Sequence, residues 1–215
     1  MESHETKRQR VKKILATLKR THPDARLALG FSNGLELLIA LILAAQARDE
    51  LVNSVTARVF PKYRTAADWA RENAEKLQAE LRQINFYRRK TAAIQDACRL
   101  LVEKFGGDVP DRLEDLLILP GVGRKTANIV LGNAFGKPAI GVDTHVARLS
   151  QRLELSDQSD PDDIEADLVQ VVPRRSCVSF CHLLQFHGRR VCLAKKPDCP
   201  GCSIRHLCPY PDKIL

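Results

Sequence analysis

Two stretches of this chain carry residues whose types and spacing suit chemistry. The first is LPGVGRKTA, residues 119 to 127, where Lys125 follows two closely spaced glycines. Gly121 and Gly123 permit backbone conformations that a Cβ penalises. Leu119-Pro120 closes the helix before it, because a residue preceding proline avoids the α region. The following KTANIVLGNAF has helical apolar spacing, so Lys125 is expected near the start of a helix. Backbone N–H groups there favour anions. Lys125 is then either one more cation for a phosphate or a chemical participant. Taken alone, the glycine pair also fits a plain turn between two helices.

The second stretch is CLAKKPDCPGCSIRHLC, in which Cys192, Cys199, Cys202 and Cys208 follow the spacing C-x6-C-x2-C-x5-C. Four thiolates this close in sequence suit a soft metal centre, either zinc or an iron–sulfur cluster. Zinc sites usually join two close pairs from separated segments. Here one C-x2-C pair and two flanking cysteines share a single loop. The spacing favours a [4Fe–4S] cluster, with zinc and uncoordinated thiols as the alternatives. Cys98, Cys177 and Cys181 read as core thiols, since cysteine buries readily.

The chain around these stretches is basic. Its 215 residues include 34 Lys and Arg against 26 Asp and Glu, a net charge of +8, and the pI is near 9.3. That field suits a polyanion such as nucleic acid. The charge is uneven: KRQRVKK, NFYRRK and HGRRVCLAKK are basic clusters, whereas ELSDQSDPDDIEAD has no basic residue and is expected to point away from the polyanion. Seven cysteines, an odd number crowded toward one end, do not resemble a secreted disulfide framework. The polar amino terminus has no secretory h-region. The longest apolar run, LELLIALILAAQA, is too short to cross a bilayer and reads as a buried core helix. These features place the protein in the cytoplasm at the nucleoid, without a membrane partner.

The elements that must position both stretches are helices. Val11, Ile14, Leu15 and Leu18 fall at i, i+3, i+4 and i+7, the pattern of an amphipathic helix. Asn33 with Glu36 predicts a capped start for the apolar core helix, and Thr65 with Asp68 opens a shorter one. RRKTAAIQDACRLLVEKF is a longer helix stopped at Gly106-Gly107. DTHVARLSQRL, PDDIEADLVQVV and CVSFCHLLQF complete an all-α set of about ten helices, with no convincing two-residue alternation.

The hairpin LPGVGRKTANIVLGNAFG, the following VDTHVARLSQRL and the four-cysteine loop together resemble the endonuclease III family, DNA glycosylase/lyases of the helix-hairpin-helix superfamily. The similarity runs from about LELLIALILAAQARD through Cys208. It implies two all-α lobes, a six-helix barrel over residues 27–137 and a [4Fe–4S] cluster domain made of residues 1–26 and 138–215. It implies a base-excision-repair enzyme, expected to be a monomer, that removes oxidised pyrimidines from double-stranded DNA and nicks the abasic site.

The resemblance also assigns roles. Lys125 becomes the nucleophile, with a pKa expected to be lowered by the helix amino terminus and by Arg124. Asp143 becomes the carboxylate that stabilises positive charge developing on the sugar; read alone, an aspartate at the head of DTHVARL is a helix N-cap. Gly121, Val122, Gly123 and Arg124 meet a phosphate, as do Thr144 and His145 at the next helix start. Gln46 and Phe86 enter the duplex, although Phe86 alone also reads as a small satellite core residue. Arg189, Lys195 and Lys196, with Arg190, present a basic surface to DNA. His145 and His187 are read as structural or phosphate-directed. The chain departs from familiar members at Ala44 (commonly serine), at Arg48 (commonly threonine) and at Asn85-Phe86 (commonly glycine–leucine). Arg48 is expected to add a phosphate contact. An adenine-mismatch glycosylase would carry serine in place of Lys125 and a further carboxy-terminal domain, so Lys125 and the end at Leu215 point away from it. A non-catalytic DNA-binding module would need neither Lys125 nor Asp143.

Overall fold

The computed structural model describes residues 2–213; Met1, Ile214 and the closing Leu215 lie outside them. Among the described residues every regular element is helical. In chain order the α-helices are α1 (His4–Thr21), α2 (Gly34–Ala44), α3 (Asp49–Val59), α4 (Ala66–Arg71), α5 (Ala74–Leu81), α6 (Tyr87–Phe105), α7 (Leu113–Leu117), α8 (Arg124–Phe135), α9 (Thr144–Arg152), α10 (Pro161–Val171) and α11 (Cys177–Arg190). The chain divides into two compact units, one of Leu27–Gly136 and one of Met1–Arg26 with Lys137–Leu215. No described helix is long and apolar enough to cross a membrane.

The continuous unit is organised around α2. Leu37, Leu38, Ile39, Ala40, Ile42 and Leu43 are all buried, because a helix apolar on every side must be surrounded. It packs against α3, α6 and α8. The expected cap is present: Asn33 Oδ1 accepts from the Glu36 amide at 2.9 Å, and Glu36 Oε2 accepts from the Ser32 amide at 2.6 Å. Thr65 and Asp68 form a reciprocal capping box on α4. Helix α6 stops at Gly106 and Gly107, whose φ values of +64° and +93° suit glycine. Helix α5 is absent from the sequence reading. Its inward face rests on only two leucines, Leu77 and Leu81, too few for a periodic signal. Asn73, which caps it by accepting from the Lys76 amide at 3.0 Å, was the available sign.

In the discontinuous unit α1 buries Val11, Ile14, Leu15 and Leu18, the four residues of its apolar stripe. They join Val146 and Leu149 of α9, Ile164 and Leu168 of α10, and Phe180 and Leu184 of α11 in one core. Helices α9 and α11 touch closely at Gly188. A Cβ there would lie 3.0 Å from both His145 Nδ1 and Arg148 Nη2, so the glycine is what lets α9 approach. The cysteine loop follows α11 directly.

Candidate functional site

The hairpin joins α7 to α8, and its two glycines differ in what they do. Gly121 has φ +81°, and a Cβ on it would sit 3.2 Å from Ala93 Cβ, so both conformation and packing demand glycine. Gly123 does not need its conformational freedom, contrary to the sequence reading. Its φ is −95° as the N-cap of α8, and a Cβ there would meet nothing within 4 Å. What Gly123 leaves is open space beside a helix amino terminus that no side chain caps. Val122 between them is buried and pins the turn, its amide donating to Leu119 O at 3.1 Å. Arg124 is half-buried and Lys125 exposed in the first turn of α8.

In the other unit Asp143 is the N-cap of α9. Its Oδ1 accepts from the amides of His145 at 2.9 Å and Val146 at 2.8 Å. The capping alternative is thus real, and both bonds end on Oδ1, so Oδ2 keeps its own direction. Capping does not compete with a chemical role; it fixes the carboxylate. Thr144 is exposed and His145 half-buried in the first turn of α9. His145 Nδ1 lies 3.2 Å from Arg148 Nη2.

Gln46 and Phe86 lie in two loops of the continuous unit, and both have left-handed backbones, φ +55° and +58°. That is uncommon for residues with a side chain. Phe86 is 58% exposed, which removes the satellite-core alternative. Arg48 is exposed at the N-cap of α3, where its side chain makes no capping bond. Two residues unassigned from sequence hold these loops together. Asn85 Nδ2 donates to Gln46 O at 3.2 Å, and Lys90 Nζ donates to Leu43 O at 2.8 Å and Ala45 O at 2.6 Å. Lys90 is buried, and burial lowers its pKa. It is therefore a structural cap on α2, not part of a basic surface as NFYRRK suggests.

The four cysteines line one cavity of the discontinuous unit, together with Leu149, Leu153 and Ile204. Among the described residues no three His, Cys, Asp or Glu side chains cluster as a single ion requires. Two arginines one turn apart on α9 grip the loop. Arg148 Nη2 donates to Gly188 O and Cys192 O, each at 3.0 Å. Arg152 donates to Cys192 Sγ at 3.2 Å, Leu193 O at 2.7 Å and Ala194 O at 3.0 Å. No motif spacing points to this pair, since the bonds join residues about 40 apart in sequence. His187 is 1% exposed, which excludes a phosphate contact. Its Nε2 lies 3.4 Å from Cys202 Sγ and its Nδ1 3.1 Å from His22 Nε2. Burial, with His22 beside it, lowers the His187 pKa to about 4, so the ring is neutral at pH 7.

The basic clusters resolve into structural and outward-facing charges. Arg189, Lys195 and Lys196 are exposed. Arg190 is also exposed but forms a two-pronged pair with Asp24, at 2.9 and 2.6 Å, and lies over the Phe186 ring. Its charge is compensated within the protein. Arg10 of KRQRVKK is likewise engaged, by Glu2 and by Leu153 O.

Comparison with known proteins agrees with these features. Residues 39–174 match the family described as HhH-GPD superfamily base excision DNA repair protein. The chain is 46% identical to endonuclease III of Synechocystis sp., over 95% of this chain and 94% of that one. It is 41% identical to endonuclease III of Escherichia coli, over 94% and 95% of the two chains. A solved structure of a trapped endonuclease III–DNA covalent intermediate superposes with a TM-score of 0.88 at 41% identity, covering 98% of this chain and 97% of that one. The chain belongs to the endonuclease III family of the HhH-GPD superfamily of base excision DNA repair proteins.

Proposed function

We propose that the protein excises oxidised pyrimidines from duplex DNA with Lys125 as nucleophile and then cleaves the abasic strand by β-elimination. Family membership makes it a base excision repair DNA glycosylase that acts on DNA. The observation that carries the nucleophile assignment is Lys125 itself, an exposed lysine in the first turn of α8, directly after the hairpin. A relative 41% identical to this chain has been trapped covalently with DNA, and a covalent intermediate needs a nucleophile on the protein.

A base inside a duplex is out of reach, so the nucleotide is turned out of the stack. The turn, closed by the Val122 amide on Leu119 O, offers the uncapped amino terminus of α8 and the open space at Gly123 to a phosphate, fixing register without reading sequence. Arg124, Arg48, Thr144 and His145 add contacts to the strand. Gln46 and Phe86 replace stacking lost where the nucleotide leaves. The Lys125 amine, once neutral, forms a bond to sugar C1′ as the glycosidic C–N bond breaks and the base departs. A reference lysine keeps only about one amine in a few thousand neutral at pH 7, so proton removal is part of the task. Asp143 serves here, as acceptor of the amine proton and as the negative charge beside the oxocarbenium-like sugar. Ring opening gives the Schiff base, and loss of a C2′ proton expels the 3′ phosphate. The protein works as a monomer at the nucleoid.

Cys192, Cys199, Cys202 and Cys208 are the residues to hold a [4Fe–4S] cluster in the discontinuous unit. They suit it because four cysteines line a shared cavity and two of them, Cys192 and Cys202, have sulfurs beside nitrogen groups able to donate. When bound, such a cluster cross-links the loop and stiffens it. Exposed Lys195, Lys196 and Arg189 then offer a fixed basic surface to phosphates.

Borohydride trapping on a duplex with an abasic site tests the assignment. Wild-type protein should be captured covalently, and Lys125→Ala should not. If Lys125→Ala is captured and nicks at the wild-type rate, Lys125 is not the nucleophile.

A further inference from the structure

We propose that Asn85 is a positioning residue that makes Gln46 and Phe86 enter the duplex as one unit, and so sets how the enzyme treats the base left opposite the extruded nucleotide. This rests on the insertion role given above to Gln46 and Phe86.

Both residues hold left-handed backbones despite carrying side chains. Such conformations persist only where their surroundings over-determine them. For the Gln46 loop the supports are specific. Lys90 Nζ fixes the carbonyls of Leu43 and Ala45 at the carboxy end of α2, and Asn85 Nδ2 fixes the carbonyl of Gln46 itself. All three bonds come from residues 85 to 90, the segment that begins beside Phe86. The two loops are therefore tied at two depths. Lys90 is the buried tie at the base. Asn85 is the exposed tie at the tip, one residue from Phe86.

The tip bond acts on direction. Holding the Gln46 carbonyl restricts rotation of the peptide that follows it, and with it the path of the Gln46 side chain. Asn85 is itself well founded, since Ile84 before it is buried and Tyr87 N donates to Ile84 O at 3.1 Å. A shift of Phe86 on meeting DNA is thus passed to Gln46 through one amide. Leucine at position 85 keeps the size and removes the donor without adding charge. It is the variant that cuts the tie and leaves the packing.

The test uses a duplex with a tetrahydrofuran abasic analogue and 2-aminopurine opposite it, whose fluorescence reports stacking of that base. Single-turnover excision of thymine glycol is measured alongside. Asn85→Leu should move the bound-state fluorescence away from wild type and slow excision about fivefold, the rate equivalent of one ordinary hydrogen bond. Its effect should be non-additive with Gln46→Ala and with Phe86→Ala, while affinity for undamaged duplex and Tm stay at wild-type values. Unchanged fluorescence, or strict additivity in both cycles, overturns the proposal while leaving the insertion reading intact. A fall in Tm that accounts for the slower excision, with no fluorescence change, also overturns it. Should Gln46→Ala and Phe86→Ala themselves leave fluorescence and rate untouched, the insertion reading fails and this proposal with it.

Discussion

Arg152 Nη1 donates a hydrogen bond to Cys192 Sγ at 3.2 Å, and the same guanidinium lies 5.0 Å from the centre of the Tyr210 ring. Its remaining bonds to Leu193 O and Ala194 O make it a brace along the start of the cysteine loop. Lysine cannot reproduce this, because a single ammonium lacks the planar fork. Arg152→Lys should therefore purify with less iron and sulfide per chain than wild type and lose its visible absorbance faster under a chelator. Equal metal content and equal decay would show that the brace is dispensable.

Asp143 offers a clean separation of stability from chemistry. Asparagine caps helices about as well as aspartate, whereas alanine costs about 1 kcal/mol. Asp143→Asn should keep the wild-type Tm yet lose orders of magnitude in single-turnover excision, with DNA affinity held or raised. Asp143→Ala should lose both. Excision by Asp143→Asn within a fewfold of wild type would leave Asp143 as a cap alone.

The two hairpin glycines should fail differently. Gly121→Ala places a Cβ 3.2 Å from Ala93 Cβ at φ +81° and should lower stability by about 1–2 kcal/mol. Gly123→Ala meets nothing within 4 Å, so urea unfolding should shift less than for Gly121→Ala, by the preference of an N-cap for glycine over alanine alone. Its loss should appear in DNA affinity, measured by fluorescence anisotropy, because the added methyl occupies space offered to a phosphate. Equal stability losses in both variants would contradict the assignment.

Lys195 and Lys196 are exposed on the cysteine loop. Replacing each with glutamine should weaken binding to all duplexes alike and reduce the log–log salt slope by ~0.9 for each phosphate no longer neutralised. A salt slope unchanged in the double variant would remove this surface from the DNA footprint. Arg190→Gln, by contrast, should change the slope less than Lys195→Gln, since Asp24 already pairs with Arg190.

Most of the helices, the hairpin and the cysteine loop are legible in local spacing, because each rests on neighbours. The stripe Val11, Ile14, Leu15 and Leu18, the Asn33 cap and the Gly106-Gly107 stop are local events that helical periodicity and backbone sterics fix within a few residues. Even Lys125, two residues past Gly123, stands out without a partner in view. Short α5 escaped because two leucines make no period. Which charges face outward and which are used up inside depends on how the chain returns on itself. Lys90 reads as one of three adjacent cations, yet it is buried on carbonyls about 45 residues away. Arg148 and Arg152 lie within VDTHVARLSQRL without a role legible from it, yet their reach across about 40 residues grips the cysteine loop. Asn85 reads as a departure at a loop tip until its amide is seen on Gln46 O. A hydrogen bond between distant segments depends on where the chain returns in space, and local spacing does not encode that.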